Sequence, residues 1–291
     1  MKNPYKRSDI FVCNYSEHAK FENRISAYHV LMQKKCYPQG CLMFKWTCAL
    51  KNKGKTCIRK FNHIGRLCEG CSHFLDEKIH YQPRIVIDNA AFERFQQEIE
   101  EFDEWVAEHR ERDLDIWCRV RLIKPRFRKI IYGAKAQLRL EGYLLVSKEG
   151  FIGLTPFDDY FYAYLTPQQQ DRLRISANDT FDARGRMKLD RGRVLFSALW
   201  AIQIQERSGG ITWNNSRALV AKNSAVELSD QPESCLHCPY GALADVVIQE
   251  KQQNKLVRTL YCLEGYPTPE VCGFQAMEML DRCHKKQQKM E

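Results

Sequence analysis

Apolar residues recur every three or four positions between residues 90 and 112, with acidic residues between them. The apolar stripe consists of Phe92, Phe95, Ile99, Phe102 and Val106. This spacing predicts an amphipathic α-helix, and Asp88 or Asn89 can cap its start. We expect the stripe to pack on a neighbouring domain. Dimerisation through this helix is possible on the same pattern but is not favoured, because the stripe is short for an autonomous coiled coil.

Between residues 115 and 210 the pattern changes to the alternation of β-strands, as in QLRLEGYLLVS. Turns are predicted at 148–150 (KEG) and 190–192 (DRG), and Thr166 before Pro167 predicts the start of a short helix. The resulting order is three strands, a short helix and two strands. That order resembles an OB-fold, a small five-stranded Greek-key barrel. The resemblance rests on element order alone.

These patterns predict an α+β fold with a central OB-like antiparallel β-barrel. Two small cysteine-rich metal-binding units and an amphipathic helix flank the barrel. We expect an N-terminal cysteine-rich unit at 1–87, the helix at 88–114, the barrel at 115–210 and a C-terminal cysteine-rich unit at 211–291. The last unit is predicted to end in a helix that carries Cys272 in its first turn.

Thirteen cysteines in one chain are the main anomaly of the composition. The N-terminal segment lacks the apolar stretch of a secretory signal, and no apolar run is long enough to span a membrane. We therefore expect a cytoplasmic protein without a membrane partner. Disulfides do not persist in a reducing compartment, so clustered cysteines there more often indicate metal binding. Cys13, Cys118 and Cys283 lie apart from the clusters and are expected to be buried free thiols.

Ten clustered cysteines are the candidate metal ligands. They are Cys36, Cys41, Cys48, Cys57, Cys68, Cys71, Cys235, Cys238, Cys262 and Cys272. Each end of the chain contains one C-x-x-C pair, whose spacing lets both sulfurs face one point. In the N-terminal set, the pair at 68 and 71 with Cys57 forms the most natural trio, and Cys48 is the expected fourth ligand. Cys36 and Cys41 either belong to this site or share a second one.

Four cysteines can hold either zinc or an iron–sulfur cluster. Structural zinc sites usually draw their ligands from two short knuckles, whereas the C-terminal set has one knuckle followed by the widely spaced Cys262 and Cys272. Clusters tolerate uneven spacing, and a proline directly after a ligand, as after Cys238, also occurs in ferredoxin-type runs. We therefore expect two [4Fe–4S] clusters, with zinc as the alternative. His63 and His73 are expected to be surface or packing residues.

The net charge is +9, with basic residues concentrated at 51–60 and 118–129. The candidate nucleic-acid contacts are Arg119, Arg121, Arg126, Arg128, Arg184 and Arg186. Aromatic residues interleave with them, namely Trp117, Phe127, Tyr132 and Tyr143. This mixture suits single-stranded nucleic acid through phosphate contacts and base stacking. The alternative is that the aromatic residues are core and the arginines are ordinary surface charge.

Three functions follow from these features. The first is a metal-cluster protein that senses redox state and whose basic barrel binds nucleic acid or an acidic protein. The second is an electron-transfer protein that uses two iron–sulfur clusters, and the third is a nucleic-acid-binding protein with structural zinc. An enzyme ranks last, because the chain has no P-loop, dinucleotide fingerprint, G-x-S-x-G or H-E-x-x-H motif.

Overall fold

The computed structural model describes residues 1–133, 135–229, 231–249 and 254–273. The chain divides into two compact units. One contains residues 3–106, and the other contains residues 107–291 together with Met1 and Lys2. Among the helices in the described ranges, none combines the length and apolarity needed to cross a membrane.

The N-terminal unit is built from short strands around one apolar cluster. Its elements are β1 (Phe11–Val12), β2 (Arg24–Ile25), β3 (Cys41–Cys48), α1 (Ala49–Asn52), β4 (Phe74–Tyr81), β5 (Arg84–Ile85) and α2 (Asn89–His109). Short 3-10 turns (Pro4–Lys6, Ser16–Phe21, Arg66–Cys68) and a π-helical turn (His29–Gln33) join them. The strands form a three-stranded sheet of order β2-β1-β5 and an antiparallel pair of β3 and β4.

Helix α2 packs its apolar face onto the core of its own unit. Phe95 is almost completely buried there, with Phe92 and Ile99 partly buried beside it. The cluster it covers contains Ile10, Phe11, Ile25, Ala27 and Val30. At the start of the helix, the Asp88 carboxylate accepts a hydrogen bond from the Ala91 amide at 2.7 Å. The predicted amphipathic helix and its cap are thus confirmed, and the cluster against which it packs belongs to the N-terminal unit.

The second unit is dominated by long strands. Its elements are β6 (Asp113–Tyr132), β7 (Lys135–Ile152), β8 (Thr155–Phe157), β9 (Phe161–Leu165), α3 (Pro167–Leu173), β10 (Thr180–Asp190), β11 (Arg193–Glu206), α4 (Asn215–Ser224), β12 (Val226–Glu227), α5 (Glu233–Leu236), β13 (Gly241–Gln249) and β14 (Asn254–Cys262). A 3-10 turn at Pro269–Val271 follows. The strands form one nine-stranded sheet of order β12-β14-β13-β6-β10-β11-β9-β7-β8.

Five of these strands pair in a cycle. Strand β6 pairs antiparallel with β7 and with β10, β7 pairs antiparallel with β9, and β10 pairs antiparallel with β11. Strand β9 pairs parallel with β11, which completes the cycle. The sheet does not end there, because β13 pairs parallel with the second half of β6. The chain is therefore a strand-dominated α+β protein with one large sheet. The predicted barrel is not a separate closed unit, because strands from the C-terminal segment continue its sheet.

Of the turns and helix start predicted from short sequence signals in the middle of the chain, some are confirmed and one is wrong. The turn at 190–192 joins β10 to β11, and Thr166 caps α3 with its side chain in a capping box, as predicted. The predicted turn at 148–150 is wrong, because β7 runs through it to Ile152. Gly150 serves close strand packing instead: a Cβ there would lie 2.3 Å from the Trp117 carbonyl oxygen of β6. Helix α4 was not predicted.

At the C-terminal end, the segment that begins at Gly241, whose pattern fits either a helix or a strand, forms β13, and the predicted strand KLVRTLYC lies within β14. Cys272 caps the 3-10 turn with an extended backbone and does not lie in the first turn of an α-helix. Most of the predicted terminal helix, including Cys283, lies outside the described residues.

Candidate metal sites and a basic cleft

The four C-terminal candidate ligands line one cavity. Cys235 lies on α5, Cys238 lies in the loop before β13, Cys262 ends β14, and Cys272 follows the last 3-10 turn. The strand register places Cys262 opposite Gly241, which comes directly after the C-x-x-C loop. The cavity has a volume of about 20 Å³, which is room for roughly one water-sized sphere.

Backbone amides within the loop from 235 to 241 donate hydrogen bonds to other atoms of the same loop. The Tyr240 amide donates to the Sγ of Cys238 at 3.4 Å, and the Gly241 amide donates to the Cys238 carbonyl at 3.2 Å. A Cβ on Gly241 would lie 1.8 Å from the Cys235 carbonyl oxygen, so this turn requires glycine. Burial raises the pKa of the Cys238 thiol, while the Tyr240 amide acts in the opposite direction. A bound cation would offset the cost of the buried thiolate.

Lys124 of β6 anchors this loop from the sheet. The residue is 5% exposed, and its Nζ donates to the carbonyls of Leu236 at 2.5 Å and Gly241 at 2.9 Å. Burial lowers the pKa of Lys124 to about 8, and the neighbouring Cys238 and Cys235 sulfurs act in the opposite direction. The ammonium is therefore close enough to both cysteines to compensate negative charge on a thiolate-bound metal.

Strand β3 separates the six N-terminal candidates into two groups. Cys41 begins this eight-residue strand and Cys48 ends it, so the two lie roughly 23 Å apart along the strand. No single ion or cluster spans that distance. Cys36 lies near Cys41, whereas the other group surrounds the connection from β3 to β4. This second group comprises Cys48, Cys57, Cys68 and Cys71.

Cys36 and Cys41 lie in and against the apolar cluster of the N-terminal unit. Cys36 is buried in the apolar cluster of its unit, with Cys13 in the same cluster and Cys41 packed against it. Burial raises the pKa of the Cys36 thiol to about 12, and the Cys41 thiol beside it acts in the same direction. Cys13 and Cys118 are buried free thiols, as expected.

The connection from β3 to β4 holds its cysteines in a different environment. The Cys71 amide donates to the Cys68 carbonyl at 3.0 Å, which closes the C-x-x-C turn. The Phe61 amide lowers the pKa of the half-buried Cys57 thiol, and Arg59 also contributes to this shift. A thiol with a lowered pKa is the better metal ligand, because the thiolate is the binding form.

The cysteines within each set are thus gathered to different degrees. All four C-terminal cysteines line one cavity, and the four N-terminal ones share one hairpin connection. Within the described ranges, no three His, Cys, Asp or Glu side chains already stand close enough to hold a metal ion.

Five of the six arginines predicted to contact nucleic acid lie within 3.9 Å of a carboxylate oxygen, and four of these pairs are 3.2 Å or shorter. The four shorter pairs are Arg184 with Asp115 at 3.2 Å, Arg186 with Asp113 at 2.9 Å, and Arg126 and Arg128 with Glu141 at 2.9 and 2.6 Å. These neighbours reduce the positive potential that the four arginines present to a phosphate. Of the interleaved aromatic residues, Phe127 and Tyr143 are buried core and Tyr132 is 71% exposed.

Arg119 and Arg121 line a surface cleft of about 270 Å³ with Lys148. The carboxylates of Glu149 and Asp158 also line it, and the nearest ion pair, Arg119 with Glu149, has an N–O distance of 3.9 Å. Sequence analysis missed Lys148, because it lay in a segment assigned to a turn. The cleft thus brings three cations and two carboxylates together.

A tyrosine connects this cleft to the cysteine loop. The Arg121 guanidinium lies 5.8 Å from the centre of the Tyr160 ring. That ring packs against His237, with 5.5 Å between ring centres and an interplanar angle of 32°. His237 is inside the C-x-x-C loop, between Cys235 and Cys238. A change in the conformation of the cysteine loop would therefore shift Tyr160 and, through it, Arg121 of the cleft. No sequence signal indicated the contact between His237 and Tyr160.

Tyr160 belongs to a row of tyrosines covered by arginines. Alternate positions on and before β9 carry Tyr160, Tyr162 and Tyr164. The arginines over their rings are Arg121 at 5.8 Å, Arg193 at 5.2 Å and Arg126 at 4.2 Å, respectively. Such arginine–aromatic pairs resemble the elements that contact bases and phosphates in single-strand-binding proteins.

Comparison with known proteins does not place the chain in a family. No protein-family model matches it, and neither the curated proteins nor the solved structures contain a significant match. What the cavity and the cleft bind therefore has to be inferred from their own side chains.

Replacing Lys124 by methionine is expected to weaken metal binding at the C-terminal cysteines. The substitution removes two hydrogen bonds to the loop and the cation beside Cys235 and Cys238. Loss of such an outer contact typically lowers metal affinity about 10- to 100-fold. Competition with a chromophoric chelator measures the zinc affinity. Lys188→Met, an exposed lysine on β10, is the control and should leave the affinity unchanged. Equal affinities for both variants would contradict the role given to Lys124.

Proposed function

We propose that this chain is a cytoplasmic single-stranded nucleic-acid-binding protein whose two cysteine sets hold structural zinc ions. The cleft of Arg119, Arg121 and Lys148 is the binding surface for phosphates, and Tyr160 is the adjacent aromatic contact. The cytoplasmic location rests on the abundance of free cysteine, which a reducing compartment maintains.

The observation that carries this proposal is the position of the cleft on an OB-like arrangement of strands. The five strands of the cycle are β6, β7, β9, β10 and β11 in chain order, with α3 between β9 and β10. This is the element order predicted for an OB-like barrel. OB-folds bind oligonucleotides on the face of their second and third strands, which here are β7 and β9. Lys148 belongs to β7, and Tyr160 directly precedes β9.

The size of the C-terminal cavity favours zinc over the [4Fe–4S] cluster expected from ligand spacing. A cavity of about 20 Å³ suits one ion, whereas the cluster core contains eight atoms. The sequence lacks a second C-x-x-C knuckle, but the strand register brings Cys262 opposite Gly241 and so places a third cysteine beside the first knuckle. Cys235, Cys238 and Cys262 with Cys272 would complete a tetrahedral Cys₄ site. Zinc would supply no redox chemistry there and would fix the loop.

For the N-terminal set, we propose that Cys48, Cys57, Cys68 and Cys71 hold the second zinc ion. Cys48 is fixed at the end of β3, and the C-x-x-C turn of Cys68 and Cys71 lies shortly before β4. The amide-stabilised Cys57 lies between them in the chain. Cys36 and Cys41 do not take part, because β3 holds Cys41 too far away and burial disfavours the Cys36 thiolate.

An acidic protein would engage the same cations without stacking on Tyr160. Binding to an unstructured oligonucleotide therefore tests the proposal directly. Arg121→Ala combined with Lys148→Ala is expected to weaken binding and to flatten its dependence on salt. Loss of two phosphate contacts lowers the slope of log K against log salt by about 1.4 for single strands. Fluorescence anisotropy of a labelled oligothymidylate over a salt series measures both quantities.

The matched control is Arg110→Ala combined with Arg172→Ala. It removes the same charge from exposed positions of the same unit that do not line the cleft. If the two double variants lose affinity equally, only net charge matters and the cleft is not the site. Absence of binding by the parent protein at low salt would refute the proposed function.

Zinc at the C-terminal site is expected to support binding at the cleft through His237 and Tyr160. His237→Ala leaves all four cysteines in place but removes the ring that packs on Tyr160. An aromatic pair of this kind contributes about 0.5–1.5 kcal/mol, which corresponds to a two- to tenfold loss of oligonucleotide affinity. Removal of zinc by a chelator should weaken binding in the parent more than in His237→Ala.

His109→Ala is the control for this effect, because His109 lines neither the cleft nor the cysteine cavity. If chelation reduces the affinity of the parent and of His237→Ala by the same factor, the ring contact does not couple the two sites.

A further inference from the structure

Strand β3 presents a row of large apolar side chains to solvent. Leu42, Phe44 and Trp46 occupy alternate positions and are 52%, 55% and 40% exposed. The two-residue period of a strand puts all three on the same face. We call this the ribbon face. The sheet to which it belongs has β3 and β4 as its two strands. On β4, Phe74 lies beside the Trp46 ring, with 6.2 Å between the ring centres.

The opposite strand adds polar neighbours to the same face. The register pairs Leu42 with His80, Phe44 with Lys78, and Trp46 with Asp76. The Lys78 ammonium lies 5.9 Å from the centre of the Phe44 ring. The face thus combines two flat exposed rings with a cation beside one of them. Strand β4 also places one carboxylate on the ribbon face, that of Asp76 opposite Trp46.

The connection between the two strands is strongly basic. Residues 49–73 contain six lysines and arginines and one acidic residue, Glu69. The six are Lys51, Lys53, Lys55, Arg59, Lys60 and Arg66. Two of them brace the connection itself: Lys51 donates to the Asn62 carbonyl at 2.5 Å, and Arg59 donates to the Leu67 carbonyl at 3.1 Å. The others leave an excess of positive charge at the end of the ribbon.

We propose that the ribbon face and this basic connection form a second binding site for single-stranded nucleic acid. Bases stack on Phe44 and Trp46, and the cations of 49–73 contact phosphates. The ligand class rests on the proposed function, but the site is independent of the cleft. The charge decides the occupant, because a purely apolar partner would leave the excess positive charge of the connection uncompensated, whereas a polyanion with exposed ring faces satisfies both features.

The test compares ring removal with ring replacement in the full chain. Phe44→Ala is expected to weaken binding of a labelled oligothymidylate about tenfold, the scale of one lost base stack. Phe44→Tyr keeps a stacking surface and should bind like the parent. Asp76→Asn should bind more tightly than the parent. Leu219→Ala, which shortens a 46% exposed residue on α4, controls for loss of exposed apolar surface.

Trp46 provides a direct signal at the same site. Oligonucleotide binding is expected to quench tryptophan fluorescence in the parent, and the quenching should fall in Trp46→Phe although that variant still stacks. Circular dichroism verifies that each variant is folded. The proposal would be overturned if Phe44→Ala and Phe44→Tyr bound the oligonucleotide with equal affinity. It would also be overturned if the quenching were unchanged in Trp46→Phe. A change in self-association in Phe44→Ala without a change in oligonucleotide affinity would overturn it too, because it would make the ribbon face a contact between copies of the chain.

The variants also separate this site from the cleft. If Phe44→Ala weakens binding and the variant that lacks Arg121 and Lys148 does not, the ribbon is the binding surface and the cleft assignment falls. The reverse result removes the ribbon and keeps the cleft. Loss in both variants establishes two sites, and no binding by the parent removes both.

Discussion

The buried ammonium of Lys124 ties the cysteine loop of the second unit to its sheet. An amine with 5% exposure is tolerated only where carbonyls accept its hydrogen bonds, and it finds them at Leu236 and Gly241. These two bonds fix the C-x-x-C loop to β6. The pairing of Gly241 with Cys262 then brings a third cysteine to the loop, and His237 within the loop meets Tyr160 at the cleft. The proposed metal site and the proposed phosphate site thus share one anchored loop.

In each cysteine set, one cysteine lies at the end of a β-strand and is held in place by the strand pairing. Cys48 ends β3 and Cys262 ends β14, so the backbone ladder fixes one ligand in each set, and turns supply the rest. A small loop-rich segment cannot bury enough apolar surface to order itself, and metal binding can supply that free energy. The proposed zinc ion would hold the basic residues of 49–73 at the end of the β3–β4 ribbon.

Periodicity predicted the helix with Phe95, and turn chemistry predicted the cap at Thr166, because these features are encoded by neighbouring residues. Sequence did not show that Arg184 and Arg186 face Asp115 and Asp113, since those pairs depend on the register between β6 and β10. It placed a turn at Gly150 because glycine favours turns, whereas tertiary packing uses that glycine for close strand approach. The contact of His237 with Tyr160 has no local signature, and Lys124 resembles any other lysine until the fold buries it.

The metal content of the full chain, purified without oxygen and analysed together with acid-labile sulfide, tests the account most directly. We predict about two zinc ions per chain, no iron and no sulfide, since each cysteine set provides one four-ligand site. About eight iron atoms with matching sulfide would contradict this account and would establish two [4Fe–4S] clusters, with electron transfer or redox sensing as the function to pursue. A folded chain without metal would equally contradict it, because neither cysteine set would then hold its loop through an ion.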